Sequence, residues 1–163
     1  VKRKEAILPR VLFALATALA VVPTLSSAAT PEATPVQLLV DGRPVRRTAA
    51  LVQGGVYYVE LGGMVRVFNG LVLFEKSTAT VSIGSRVAIF TVGSARANLD
   101  GTMLGTGGKT FERQGDWFVP LSFFATRLAH AAIHVAAGGK SIEVTSLSHG
   151  AGIATPSPQP DSM

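Results

Sequence analysis

Two stretches of the chain, sixty positions apart, carry the same pattern. Leu61, Met64, Val65 and Phe68 fall at i, i+3, i+4, i+7, and so do Leu121, Phe124, Ala125 and Leu128. That spacing places side chains on one face of a helix. Each run opens from a strand-like segment, Tyr58-Val59-Glu60 in one case and Phe118-Val119-Pro120 in the other, and each is followed by another strand-like segment. A unit repeated at this length implies one fold built twice around a shared core.

The segments between the runs read as strands and turns. Thr78, Thr80 and Ser82 alternate with Ala79, Val81 and Ile83, which predicts a strand with one wet and one packed face. Leu71–Glu75 precedes it across Lys76-Ser77, a hairpin. Further strands are expected at Val36–Val40, Val56–Val59, Arg86–Val92, Ala95–Leu99, Trp117–Val119, Ile133–Ala136 and Ser141–Thr145. Asp41-Gly42 and Asp100-Gly101 are turn pairs whose carboxylates are expected to bond the local backbone. Pro120 is expected at the first position of the second helix, where its missing N–H has no helical partner. Glu60 holds that place in the first helix and favours its positive end. Asn69-Gly70 is expected to stop the first helix, both residues tolerating the left-handed conformation.

The ends of the chain read differently. Lys2, Arg3, Lys4 and Arg10 precede an apolar run from Val11 to Val22, then Pro23 and the small residues Ser26 to Ala29. This is the layout of a secretory signal, with cleavage expected after Ala28 or Ala29. The run is shorter than the roughly 20 residues that span a bilayer, so no stable membrane span is expected after cleavage. Residues 1–29 are therefore expected as a signal peptide and 30–35 as a linker. Residues 36–146 form the folded domain, with repeats at about 36–92 and 93–146. Residues 147–163, rich in Gly, Ser and Pro, are expected to be a disordered tail. The expected location is secreted or periplasmic.

The signal region also inflates the charge. Of the net +5, residues 1–29 contribute +3, and from Thr30 onward eleven Lys and Arg stand against nine Asp and Glu. So weak an excess does not make the dense basic face that nucleic acid requires, and no nucleic-acid partner is expected. With no cysteine, thiolate catalysis and Cys-ligated zinc or iron–sulfur centres are excluded.

The order of elements and the local motifs resemble the N-terminal stalk domain of copper amine oxidases, a module that also occurs in exported bacterial proteins without the oxidase domain. The resemblance rests on Gln114-Gly115-Asp116-Trp117-Phe118-Val119-Pro120-Leu121-Ser122 and on Gln53-Gly54-Gly55-Val56-Tyr57-Tyr58-Val59-Glu60-Leu61-Gly62. Phe74 and Val135 stand near the place of the strand tryptophan usual after the helix. Departures are Glu60 for the usual Pro, Gly62 and Ser122 for the usual Arg, and Ala129-His130 for Gly-Ala, with one extra residue before Ile133. The resemblance covers about Val36 to Thr145. It implies a non-catalytic extension, because the copper, the quinone-forming tyrosine and the substrate channel of the oxidases lie in a domain absent from this sequence. Pattern and resemblance give an expected α+β fold: mostly antiparallel β-sheet wrapped around two amphipathic helices, built from two similar repeats of about 60 residues.

Chemical motifs are sparse. Gly105-Thr106-Gly107-Gly108-Lys109-Thr110 looks like a phosphate loop, but Met103 stands where its first Gly belongs and another turn, not a helix, follows. His130 and His134 lack the Glu of a zinc-protease helix, and the resemblance implies that His130 stands at the helix end and His134 in the next strand. No Ser nucleophile elbow and no carboxylate pair stands out. No catalytic, cofactor or metal residue is assigned. Arg43, Arg46 and Arg47 cluster after the first Asp-Gly turn. They read either as a solvated edge that discourages aggregation or as a contact for an anionic cell-wall polymer or envelope protein. The expected function is an exported non-catalytic stalk or binding module. The alternatives are a small envelope enzyme without a recognisable motif, and a protein inhibitor or assembly partner acting by strand addition.

Overall fold

The computed structural model describes residues 32–147. The expected signal at 1–29 and all of the expected tail after Leu147 lie outside the described residues. The linker expected at 30–35 is partly inside them, where Thr34 and Pro35 pair with Val52 and Leu51 as the start of a strand.

Thirteen strands are present among the described residues. They are β1 (Thr34–Val40), β2 (Arg43–Pro44), β3 (Ala50–Gln53), β4 (Val56–Glu60), β5 (Leu71–Glu75), β6 (Thr78–Ile83), β7 (Arg86–Thr91), β8 (Arg96–Leu99), β9 (Thr102–Gly105), β10 (Phe111–Arg113), β11 (Asp116–Pro120), β12 (Ala131–Val135) and β13 (Ser141–Ser146). One sheet runs β10-β11-β4-β3-β1-β13-β12, with β2 also paired to β1; the other runs β5-β6-β7-β8-β9. All pairings are antiparallel except β1 with β13, which joins the two ends of the folded chain in parallel. The main apolar core lies between the sheets and draws on both, from Val59, Val119, Ile142 and Val144 to Val81, Ala88 and Phe90.

The helices are brief. The first, α1 (Leu61–Val67), follows β4 directly; the second, α2 (Leu121–Phe123), follows β11 and continues as a π turn at Phe124–Leu128. Strand accounts for 53% of the described chain and helix for 14%. The fold is therefore mostly β, and the expected α+β class, with sheet wrapped around two amphipathic helices, is corrected. The apolar spacing does mark buried faces, since Leu61, Met64, Val65, Leu121, Phe124, Ala125 and Leu128 are all buried. It extends for only two turns, and seven residues of helix reach about 10 Å at 1.5 Å per residue. Chain reversals stop both helices. Asn69 (φ 55°) and His130 (φ 48°) take left-handed backbone. The extra residue of the second stretch is absorbed in the π turn, where the Ala129 N–H reaches back to the Phe124 carbonyl at 2.9 Å.

Helix starts also differ from expectation by one position. Glu60 and Pro120 end their strands and serve as caps. The Glu60 carboxylate accepts the Gly63 N–H through both oxygens, at 2.9 and 2.8 Å. The turn aspartates reach farther than their own turns. Asp41 Oδ1 accepts the Ser146 N–H at 2.8 Å, and Asp100 Oδ1 accepts the Val87 N–H at 2.8 Å.

β4 and β11 pair with Val59 opposite Val119, Phe118 opposite Glu60 and Pro120 opposite Tyr58. Positions sixty apart exchange places across this pair. The two strand-to-helix steps are thus related by an approximate two-fold axis passing between Val59 and Val119.

Candidate cleft at the first strand-to-helix step

The junction of β4 with α1 is where charged side chains converge. The loop between β2 and β3 is pinned there by two main-chain bonds, Val45 N–H to the Leu38 carbonyl (2.9 Å) and Glu60 N–H to the Ala49 carbonyl (2.8 Å). Thr48 is buried against the start of α1. Gly63 permits that approach, because a Cβ there would run into the Thr48 side chain and the Glu60 carboxylate. The loop consequently holds Arg46 and Arg47 beside the helix, and Arg66 comes from the last turn of α1, its Nε donating to the Gly62 carbonyl at 3.2 Å.

These three arginines line a cleft of about 390 Å³ together with Thr48, Glu60 and Asp116. Of its two acids, Glu60 is committed to the Gly63 N–H. Arg46 and Arg47, singled out from the sequence, are brought together here. Arg43 is not: it lies exposed on β2, opposite Val40. Arg66 was missed. Its sequence signal was one basic residue in the last turn of a helix opening on Glu60, and nothing in the linear order joins it to a loop twenty positions earlier.

A second cleft of about 330 Å³ continues from the first, sharing Glu60, Arg66 and Asp116, and adds Val72, Phe74 and Trp117. Phe74 packs on Trp117 with ring centroids 5.6 Å apart. The two-fold mate of this second cleft, about 320 Å³, has Tyr57, Ser122, Ile133 and Val135 among its walls and no charged residue.

The outer face of the larger sheet carries a small aromatic cluster. Phe111 stacks on Phe118 at 5.4 Å and meets Tyr58 edge-on at 5.0 Å. A broader hollow of about 650 Å³ lies over it, rimmed by Lys109, Arg113 and Glu112, charges of mixed sign. Burial pushes the Tyr58 phenol above its ordinary 10.0, and a hydrogen bond from the Lys109 main chain opposes part of that rise. The glycine-rich loop passes over this ring, and Gly108 is needed because a Cβ would collide with the Tyr58 hydroxyl. Lys109 and Thr110 lead into β10, so no helix N-terminus stands where a phosphate loop would use one.

His130 closes the second helix and His134 lies in β12, opposite Glu143 on β13. That acid is a neighbour the sequence did not reveal. Among the described residues no three His, Asp or Glu side chains gather as a metal site, and no helix is long and apolar enough to cross a membrane. No protein-family model, curated protein or solved structure matches the chain.

Proposed function

We infer that the chain is an exported, non-catalytic binding module of the stalk-domain kind, holding an anionic partner of the cell envelope in the arginine cleft. The observation that carries this reading is the convergence of Arg46, Arg47 and Arg66, from a loop and a helix, on one cleft whose Glu60 is already engaged. The three arginines outnumber the two carboxylates of the lining, Glu60 and Asp116, and an excess of one sign in a concave site concentrates counter-charge. Export rests on the basic, apolar and small-residue order of residues 1–29.

The test is binding of the purified domain to immobilised inorganic polyphosphate and to isolated envelope material. Retention should fall as salt rises and the Debye length shrinks from about 30 Å at 0.01 M to 8 Å at 0.15 M. The triple variant Arg46→Ala/Arg47→Ala/Arg66→Ala should bind at least about tenfold more weakly, a loss of roughly 1.4 kcal/mol. Equal retention of the triple variant would refute the reading.

A further inference from the structure

We propose that the charged cleft and the open edge of β5 are one groove, which takes an extended polypeptide segment added to β5 as an extra strand. The segment has an apolar stretch over Phe74 and Trp117 and acidic side chains toward Arg66, Arg46 and Arg47. The proposal rests on the arginine-cleft reading above and names the partner's chemistry.

Three observations carry it. First, β5 is the outermost strand of its sheet. Lys76 and Ser77 close its hairpin, and Glu75 pairs with Thr78, Leu73 with Thr80 and Leu71 with Ser82. In an antiparallel pair the main-chain groups alternate sides. A two-residue hairpin turn gives Glu75, Leu73 and Leu71 the bonds to β6. The N–H and C=O of Val72 and Phe74 therefore face the open side. They are two residues apart, about 6.7 Å at the strand rise, the interval at which an incoming strand presents its own groups.

Second, these two residues are the ones that line the cleft, with Trp117 on its wall. Over residues 71–74 β5 carries no charge, proline or bulge, the usual protections of an edge; its nearest charges, Glu75 and Lys76, stand at the hairpin end. Leu71, Leu73 and Phe74 are 78%, 59% and 46% exposed.

Third, the apolar cleft runs into the arginine cleft through Glu60, Arg66 and Asp116. The two-fold mate supplies an internal comparison. There β12 is again an outermost strand and Ile133 and Val135 line the hollow, yet no charge stands beside them. Charge thus lines one of two similar grooves; at its far end Arg46, Arg47 and Arg66 outnumber Glu60 and Asp116, so acidic side chains fit there, beyond the apolar stretch over β5. Spaced main-chain donors and acceptors favour a polypeptide over a polyphosphate or a glycan, neither of which repeats that pattern.

The sole tryptophan of the chain, Trp117, reports on this groove directly. Synthetic peptides of about ten residues, a typical upper strand length, with alternating Val and Thr and with or without an aspartate-rich end, are titrated against the domain. Inorganic polyphosphate is run in parallel. The expected result is a change in Trp117 fluorescence with the aspartate-ended peptides. The Val72 and Phe74 amides should gain protection from hydrogen exchange, while those of Ile133 and Val135 should not. Arg66→Ala should weaken binding about tenfold.

Val72→Pro deletes only an outward N–H, a change tolerated on edge strands, and should also weaken binding about tenfold. If that variant does not fold, amide protection in the unaltered protein decides. Polyphosphate binding that needs the arginines, with no peptide protecting Val72 and Phe74, overturns strand addition and leaves the anionic-partner reading standing. Failure of peptides and polyphosphate alike overturns both.

Discussion

Thr110 lies fully buried after the glycine-rich loop, and its hydroxyl finds no hydrogen-bond partner among the described residues. A buried unpaired hydroxyl costs about 1–3 kcal/mol. Thr110→Val keeps the shape and removes that cost, so urea unfolding should show a gain of about 1 kcal/mol. Tyr58 gives a pH signature. Below pH 10 its phenol keeps the proton in both folded and unfolded chains. Above that, the unfolded chain releases the proton first, because burial holds the folded value higher. The contribution is complete at neutral pH and is lost as pH rises from 10 through the raised folded value. Unfolding measured from pH 8 to pH 12 should show a smaller alkaline decline in Tyr58→Phe than in the unaltered protein.

At the scale of elements, the short helices matter through what they bury. Phe124 is fully buried and meets Phe68 edge-on at 5.9 Å, tying the second helix to the end of the first. Phe124→Ala should cost about 3–5 kcal/mol, read from thermal or urea unfolding. An unchanged midpoint would mean that this face does not hold the sheets together. The hairpins show how unevenly elements were written into the sequence. β5 and β6 were legible to the residue, because an apolar run and an alternating run flank a two-residue turn. β2, β3, β9 and β10 were missed. Ala50–Gln53 and Phe111–Arg113 are too short to display a period, and their pairing is imposed by the partner across the turn.

The folded part depends on a contact between the first and last of its described strands. β1 pairs with β13 in parallel, and Asp41 holds Ser146 from 105 positions away. Ile142 and Val144 on β13 are completely buried. A chain ended at residue 138 should therefore lose cooperative thermal unfolding and near-ultraviolet circular dichroism. Persistence of a sharp transition would show that β13 is dispensable. Pairings this distant in sequence also place folding in the millisecond-to-second range expected for β topologies.

Local chemistry by itself determined the apolar faces at Leu61 and Leu121, the Asp-Gly turns and most strands. Each depends on neighbours within a few positions, whose spacing and backbone preferences act before any distant contact forms. Tertiary structure decided the rest. It cut the helices to two turns, divided the strands between two sheets, and sent Asp41 to Ser146. It also set Arg66 beside Arg46 and Arg47 while leaving Arg43 apart. Those outcomes turn on which edges pair across long loops, and pairing energy is settled by packing between residues that the linear order keeps far from one another.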